Sequence, residues 1–158
     1  LNLELIQCDI KTAFLNGTLE KPVFMEVPEG LSEFMGENED FSQKYVCQLT
    51  RALYGLKVSP KCWFLRFQAT MGKLGFVPYD FQQCIFVWNK GKEFAMILLY
   101  VDDILFGTNN ENKLKEVTWK LKQEFKVTEL GEPQKFLGME IVRDREKKLL
   151  FLHQRKFT

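Results

Sequence analysis

Hydrophobic positions change their spacing from one segment of this chain to the next, and the spacing predicts the elements. Residues 3–10 (Leu-Glu-Leu-Ile-Gln-Cys-Asp-Ile) are rich in aliphatic positions and predict a strand with Asp9 near its end. Residues 11–16 lead to a turn at Gly17, and residues 23–27 predict a short strand closed by Pro28 and Gly30. Residues 31–44 are acidic and predict an exposed loop, and residues 45–49 predict another short strand. Ser59-Pro60 is a helix start, an N-cap followed by proline at the first helical position. From there Trp63, Phe64, Phe67, Met71 and Leu74 recur at helical spacing, and Gly75 falls just past the end. Residues 84–88, 94–99 and 104–107 predict strands, with a turn at 89–92. Residues 110–126 predict a second helix with Leu114, Val117, Leu121 and Phe125 on one face. Residues 136–142 and 149–153 predict a final hairpin around a charged turn. The order predicts an α+β fold, an antiparallel sheet with helices packed on one face.

Composition narrows this picture. A chain of 158 residues is long enough for one domain with a real core, and 15 phenylalanines predict that the core is aromatic. The net charge of +1 excludes a binder that works through bulk positive charge, so any nucleic-acid contact must come from local patches. Charge is uneven along the chain. Glu26, Glu29, Glu33, Glu37, Glu39 and Asp40 crowd one stretch, and Arg143, Arg145, Lys147, Lys148, Arg155 and Lys156 crowd another. The basic stretch fits either a phosphate backbone or a solvated hairpin end. Cys8, Cys47, Cys62 and Cys84 lack zinc-ligand spacing and read as reduced, mostly buried thiols of an intracellular protein. No apolar run is long enough to span a membrane, and no signal peptide is visible, so no membrane partner is expected. The chain opens at Leu1 inside a predicted strand and stops at Thr158, which reads as a fragment of a longer polypeptide.

The chemistry concentrates at Tyr100-Val101-Asp102-Asp103, which interrupts two apolar runs. Asp-Asp is a frequent turn dipeptide, because aspartate tolerates turn geometry and hydrogen-bonds its own backbone. A second reading is that adjacent carboxylates taken partly out of water hold divalent cations. Asp9, at the end of its own strand, supplies a third carboxylate if that strand neighbours the hairpin. Mg²⁺ prefers a few carboxylates plus substrate phosphates, and two such ions about 3.5–4 Å apart can clamp a phosphoryl transfer.

Four segments lie in order: Asp9-x-Lys11-Thr12-Ala13-Phe14-Leu15-Asn16-Gly17, Leu53-Tyr54-Gly55-Leu56-Lys57-x-Ser59-Pro60, Tyr100-Val101-Asp102-Asp103 and Phe136-Leu137-Gly138-Met139-Glu140-Ile141. Together they resemble the reverse transcriptase of copia-type LTR retrotransposons, over nearly the whole chain. The resemblance implies a polymerase palm-like antiparallel sheet plus a partial fingers region, forming one domain over residues 1–158 of a polyprotein fragment. Thumb and RNase H are absent in that view. It implies catalytic Asp9, Asp102 and Asp103, with the Ile10 carbonyl also facing a metal, and two Mg²⁺ ions as cofactors, replaceable by Mn²⁺. Phe14 matches a sugar-gate position that favours deoxynucleotides by steric exclusion, and is otherwise a plain core phenylalanine. Tyr54, Gly55 and Lys57 match the segment that lies against the incoming nucleotide; Gly55 is otherwise a turn residue and Lys57 a solvated lysine. Tyr100, Val101, Phe136, Leu137 and Gly138 match positions near the primer and template, and the last three otherwise form an ordinary sheet hairpin.

The implied activity is RNA-directed DNA polymerisation, with an RNA or DNA template, a primer and dNTPs as partners. The implied context is a retrotransposon polyprotein with integrase and RNase H segments, acting in cytoplasmic virus-like particles. A truncated, inactive remnant that at most binds nucleic acid is the alternative. His153 reads as structural, and no Ser-His-Asp or Cys-His arrangement is present.

Overall fold

The computed structural model describes residues 3–36 and 41–155 and divides the chain into two compact units. The first comprises residues 1–13 and 67–158, the second residues 14–66.

The first unit is built on a six-stranded antiparallel sheet. Its strands are β1 (Glu4–Ile10), β4 (Val77–Tyr79), β5 (Gln82–Lys90), β6 (Glu93–Tyr100), β7 (Asp103–Thr108) and β8 (Val127–Gly131), in the order β4-β5-β6-β7-β1-β8. Side chains alternate between the faces of a strand, so pairing register decides which residues share a face. One face carries Cys8, Ile10, Phe86, Ala95, Ile97, Leu99, Ile104 and Phe106, all buried. Helical residues cover this face. Phe67, near the end of α3 (Ser59–Gly72), sets its ring edge-on to Phe86 at 5.4 Å and stacks on Phe125 at 6.2 Å. Phe76 meets Phe106 edge-on at 6.4 Å. The expected aromatic core and the expected α+β class with an antiparallel sheet are both present.

Helix α4 (Glu111–Glu124) starts at an Asn110 cap, whose side chain accepts from the Lys113 amide at 2.9 Å. Its buried positions are Lys113, Val117 and Leu121, continued by Phe125. The expected Leu114 is only half-buried, because the buried stripe runs one residue earlier. The Lys113 ammonium is accommodated there by the Leu74 carbonyl at 2.7 Å, Glu116 at 3.0 Å and the face of Trp88 at 4.5 Å. Two strands, β4 and β8, occur where no strand was expected. The expected final hairpin is a three-stranded sheet, β11-β10-β9. β9 (Lys135–Phe136) turns through Leu137-Gly138 into β10 (Met139–Asp144), which pairs with β11 (Leu149–His153).

The second unit holds the antiparallel pair β2 (Val23–Glu26) and β3 (Val46–Leu49) and the first turns of α3. The expected exposed loop over 31–44 contains two short helices instead, α1 (Leu31–Met35) and α2 (Phe41–Lys44). Gly30 and Gly36, both at positive φ, bracket α1 and confine it to little more than one turn. Residues 37–40 lie outside the described residues. Of the four thiols, Cys8 is buried and the other three are half-buried.

Candidate functional site

β6 and β7 are joined by a two-residue turn, Val101-Asp102, closed by the register pair Tyr100↔Asp103. Val101 has φ 55°, whereas Asp102 is not at positive φ. Positive φ at the first central residue alone belongs to a II′-type hairpin turn, where glycine is the usual occupant. A β-branched residue there costs on the order of 1–3 kcal/mol, and such strain concentrates at functional sites.

The turn brings the predicted carboxylates together. Asp9 and Asp103 are direct register partners across β1 and β7, and opposed Cα atoms in such ladders lie about 4.5–5.5 Å apart. Asp102 sits one residue away, and its carbonyl accepts from the Ile10 amide at 2.8 Å. Asp9, Asp103 and Tyr100 occupy the sheet face opposite the helices. The three aspartates are half-buried, Tyr100 is exposed, and Ile10 is fully buried on the other face. Asp103 holds its proton more tightly than an ordinary carboxylate. Burial is the main cause, and the charge of Asp102 adds to it; the polar Gln7 amide opposes the shift, and the charge of Asp9 reinforces it.

This donor set suits a hard divalent cation: three carboxylates at one sheet end, none of them in an ion pair among the described residues. Among the described residues no three acidic, histidine or cysteine side chains close on one point as a finished metal cage. Mg²⁺ binds through one or two carboxylates and completes its shell with water and substrate phosphates.

Phe14 and Tyr54 are brought together within the second unit, with ring centroids 4.6 Å apart. Phe14 lies in a 3₁₀ turn, Ala13–Asn16, and Tyr54 is exposed. Gly55 has φ 96°, and a Cβ there would meet nothing within 4 Å. Its glycine is therefore required by backbone conformation rather than by a close neighbour. Lys57 is exposed.

Phe136, Leu137 and Gly138 belong to the separate three-stranded sheet. Phe136 is buried, and Leu137 and Gly138 have φ 50° and 81°. That is the I′-type pairing, again with a branched residue in a strained conformation. The basic stretch is less available than its charge implies. Arg145 donates to both Glu4 oxygens at 2.7 and 2.8 Å, Arg143 donates to the Leu3 carbonyl at 2.6 Å, and Lys147 pairs with Asp144 at 3.4 Å. His153 Nδ1 lies 3.0 Å from a Glu140 carboxylate oxygen. The Cys8 thiol is pushed up to about 11, chiefly by burial, then by the Glu129 charge, against the opposing pull of Lys122; it is inert at neutral pH.

Sequence comparison bears on this arrangement. Residues 2–157 match the family described as reverse transcriptase (RNA-dependent DNA polymerase). The retrovirus-related Pol polyprotein of transposon TNT 1-94 from Nicotiana tabacum is 36% identical over 99% of this chain and 11% of its own length. That of transposon RE1 from Arabidopsis thaliana is 37% identical over 87% of this chain and 9% of its own. The putative transposon Ty5-1 protein YCL074W from Saccharomyces cerevisiae is 30% identical over 84% of this chain and 41% of its own. The chain thus spans about a tenth of the plant relatives. A solved structure of apo telomerase from Candida Tropicalis, truncated from the C-terminal domain, overlays with TM-score 0.48 and 16% identity, covering 96% of this chain and 35% of that one.

Proposed function

Because the chain belongs to the reverse transcriptase (RNA-dependent DNA polymerase) family of copia-type retrotransposon polyproteins, we propose that it forms the catalytic palm, with part of the fingers, of an RNA-directed DNA polymerase. The observation that carries the reading is the register pairing of Asp9 with Asp103 beside Asp102, on the face that the helices leave open. In the proposed reaction the primer 3′-hydroxyl loses its proton and its oxygen attacks the α-phosphorus of a template-paired dNTP. The bond to the pyrophosphate oxygen breaks, and pyrophosphate leaves. Two Mg²⁺ ions, or Mn²⁺ in their place, supply charge stabilisation to the phosphoryl oxygens when bound.

The protein contributes position. Asp9 and Asp103 present oxygens from adjacent strands, and the Val101-Asp102 turn holds Asp102 beside them. Tyr100 and Val101 face the primer end, and the Leu137-Gly138 tip approaches the primer backbone. Phe14 excludes a ribose 2′-hydroxyl, and its ring contact with Tyr54 stiffens it for that role. Gly55 and Lys57 serve the incoming nucleotide. The setting is a polyprotein with integrase and RNase H segments, in cytoplasmic particles. No described helix is long and apolar enough to cross a membrane.

The test is extension of a DNA primer on an RNA template with dNTPs and Mg²⁺, beside an Asp102→Asn control of unchanged unfolding temperature. The expected outcome is metal-dependent extension by the wild type and a loss of at least about 100-fold in the control. Extension that survives Asp102→Asn rejects this placement of the site.

A further inference from the structure

We infer that Ser59 is a positioning residue for Tyr54: its hydroxyl fastens the turn that carries Tyr54 to helix α3, and so fixes the ring that packs on Phe14. The inference rests on the reading of Phe14 as the ring that excludes a ribose 2′-hydroxyl, and adds a residue which that reading leaves out.

Two tight turns follow one another before α3. The Leu56 amide donates to the Leu53 carbonyl at 3.2 Å, and the Ser59 amide donates to the Leu56 carbonyl at 3.1 Å. Gly55, at φ 96°, is the third residue of the first turn, where a type II turn needs positive φ. Tyr54 is then the second residue, at an exposed corner. The sequence points to Ser59 as the cap of α3, but its hydroxyl donates backwards along the chain, to the Leu53 carbonyl at 2.5 Å. Ser59 is fully buried, and Trp63, one turn further along the same helix face, is buried with it. A buried hydroxyl needs a partner, and water does not compete for this one. The Leu53 carbonyl thus accepts twice, once from its own turn and once from the helix. The second bond ties the start of the turn to an element whose place is set by core packing.

The consequence for the site is specific. Among the described residues the exposed Tyr54 ring meets one other ring, that of Phe14, with centroids 4.6 Å apart. The direction of the Tyr54 ring is therefore set by its backbone turn. Without the Ser59 donor the Leu53 carbonyl keeps one of its two bonds. The turn then pivots at Gly55, whose backbone has the widest choice of conformations. A mobile Tyr54 no longer backs Phe14, and the steric exclusion that Phe14 exerts on a ribose weakens. Discrimination between dNTP and rNTP is the property that falls. The helix itself persists, because alanine in place of Ser59 favours helix.

The test compares wild type, Ser59→Ala and Ser59→Thr, the last of which keeps the hydroxyl. Nuclear Overhauser contacts between the Tyr54 and Phe14 ring protons report the packing, and amide exchange at Leu56 reports the turn. In Ser59→Ala the ring contacts should be lost and exchange at Leu56 should be about 10-fold faster, at unchanged unfolding temperature, with both restored in Ser59→Thr. Ring contacts and exchange that survive in Ser59→Ala overturn the inference. Primer extension adds a second readout: the ratio of kcat/KM for dNTP to that for rNTP should fall about 10-fold in Ser59→Ala. A mere loss of folded protein lowers both values equally and leaves the ratio alone. Loss of the ring contacts at an unchanged ratio overturns the reading of Phe14, and the role of Ser59 in the reaction with it. A wild type that extends no primer overturns the polymerase reading, while the ring contacts still decide whether Ser59 holds Tyr54. A third measurement needs no variant. The Ser59 hydroxyl proton of the wild type should exchange with water far more slowly than that of the exposed Thr18. Equal rates overturn the inference even where Ser59→Ala fails to fold.

Discussion

At Asp103 the requirements of chemistry and of stability conflict. Burial, then the charge of Asp102, raise its proton affinity in the folded chain, so ionising it works against folding. For an acid raised in this way, stability is full below the ordinary carboxylate range. It falls as pH rises through the interval between the ordinary value and the raised one, and the whole penalty is present at pH 7. Asp103→Asn removes the penalty and keeps the shape. Urea unfolding in EDTA at pH 7 should show the variant more stable than wild type by less than about 1 kcal/mol, given how much of the site is solvent-screened. The difference should vanish below the ordinary range, and added Mn²⁺ should reverse the order by stabilising wild type alone. A less stable variant in EDTA at pH 7 contradicts the account. The aspartates themselves were legible in the sequence, since a doubled carboxylate between apolar runs is a local signal.

At the level of elements, helix α3 depends on a contact that no helical pattern shows. A Cβ at Gly17 would lie 2.9 Å from both the Cys62 Cβ and the Trp63 backbone nitrogen, and the Gly17 carbonyl accepts from Ala52 at 3.0 Å. The helix backbone cannot yield there, so Gly17→Ala should cost about 1–3 kcal/mol in urea unfolding. Gly72, in the last turn of the same helix, has nothing within 4 Å of a Cβ. Gly72→Ala should be neutral or stabilising by up to about 1 kcal/mol. Equal losses in the two variants would mean that Gly17 is an ordinary turn glycine. The Ser59-Pro60 start and the aromatic spacing made α3 legible. By contrast, β4 and β8 are short, and Pro78 and the Thr128-Glu129 pair hide their apolar alternation, so pairing to neighbours rather than propensity makes them strands. The burial of Lys113 is equally invisible to local pattern. The Leu74 carbonyl, the Glu116 carboxylate and the ring of Trp88 together make a buried ammonium tolerable.

At the scale of the molecule, the first unit joins its two sheets by charge. Arg145 grips Glu4 with both nitrogens, and Arg143 donates to the carbonyl of Leu3, so the terminal hairpin is tied to the start of β1. Arg145→Ala should therefore speed amide exchange over Met139–Asp144 and Leu149–His153 and leave the β6–β7 hairpin unchanged. Were Arg145 instead a phosphate ligand, the variant would keep its exchange pattern, and the salt dependence of RNA binding would fall by about one charge. The sequence by itself determined the local elements with strong periodicity or caps, the aromatic character of the core, the order of the four motifs and hence the family. Each depends on residues near one another along the chain. Only the tertiary structure decided that Asp9 faces Asp103, and that Arg143, Arg145 and Lys147 of the basic stretch are spent on internal pairs. Strand register and ion pairing join residues remote in sequence, and they are selected by burial of one whole sheet face rather than by any local pattern.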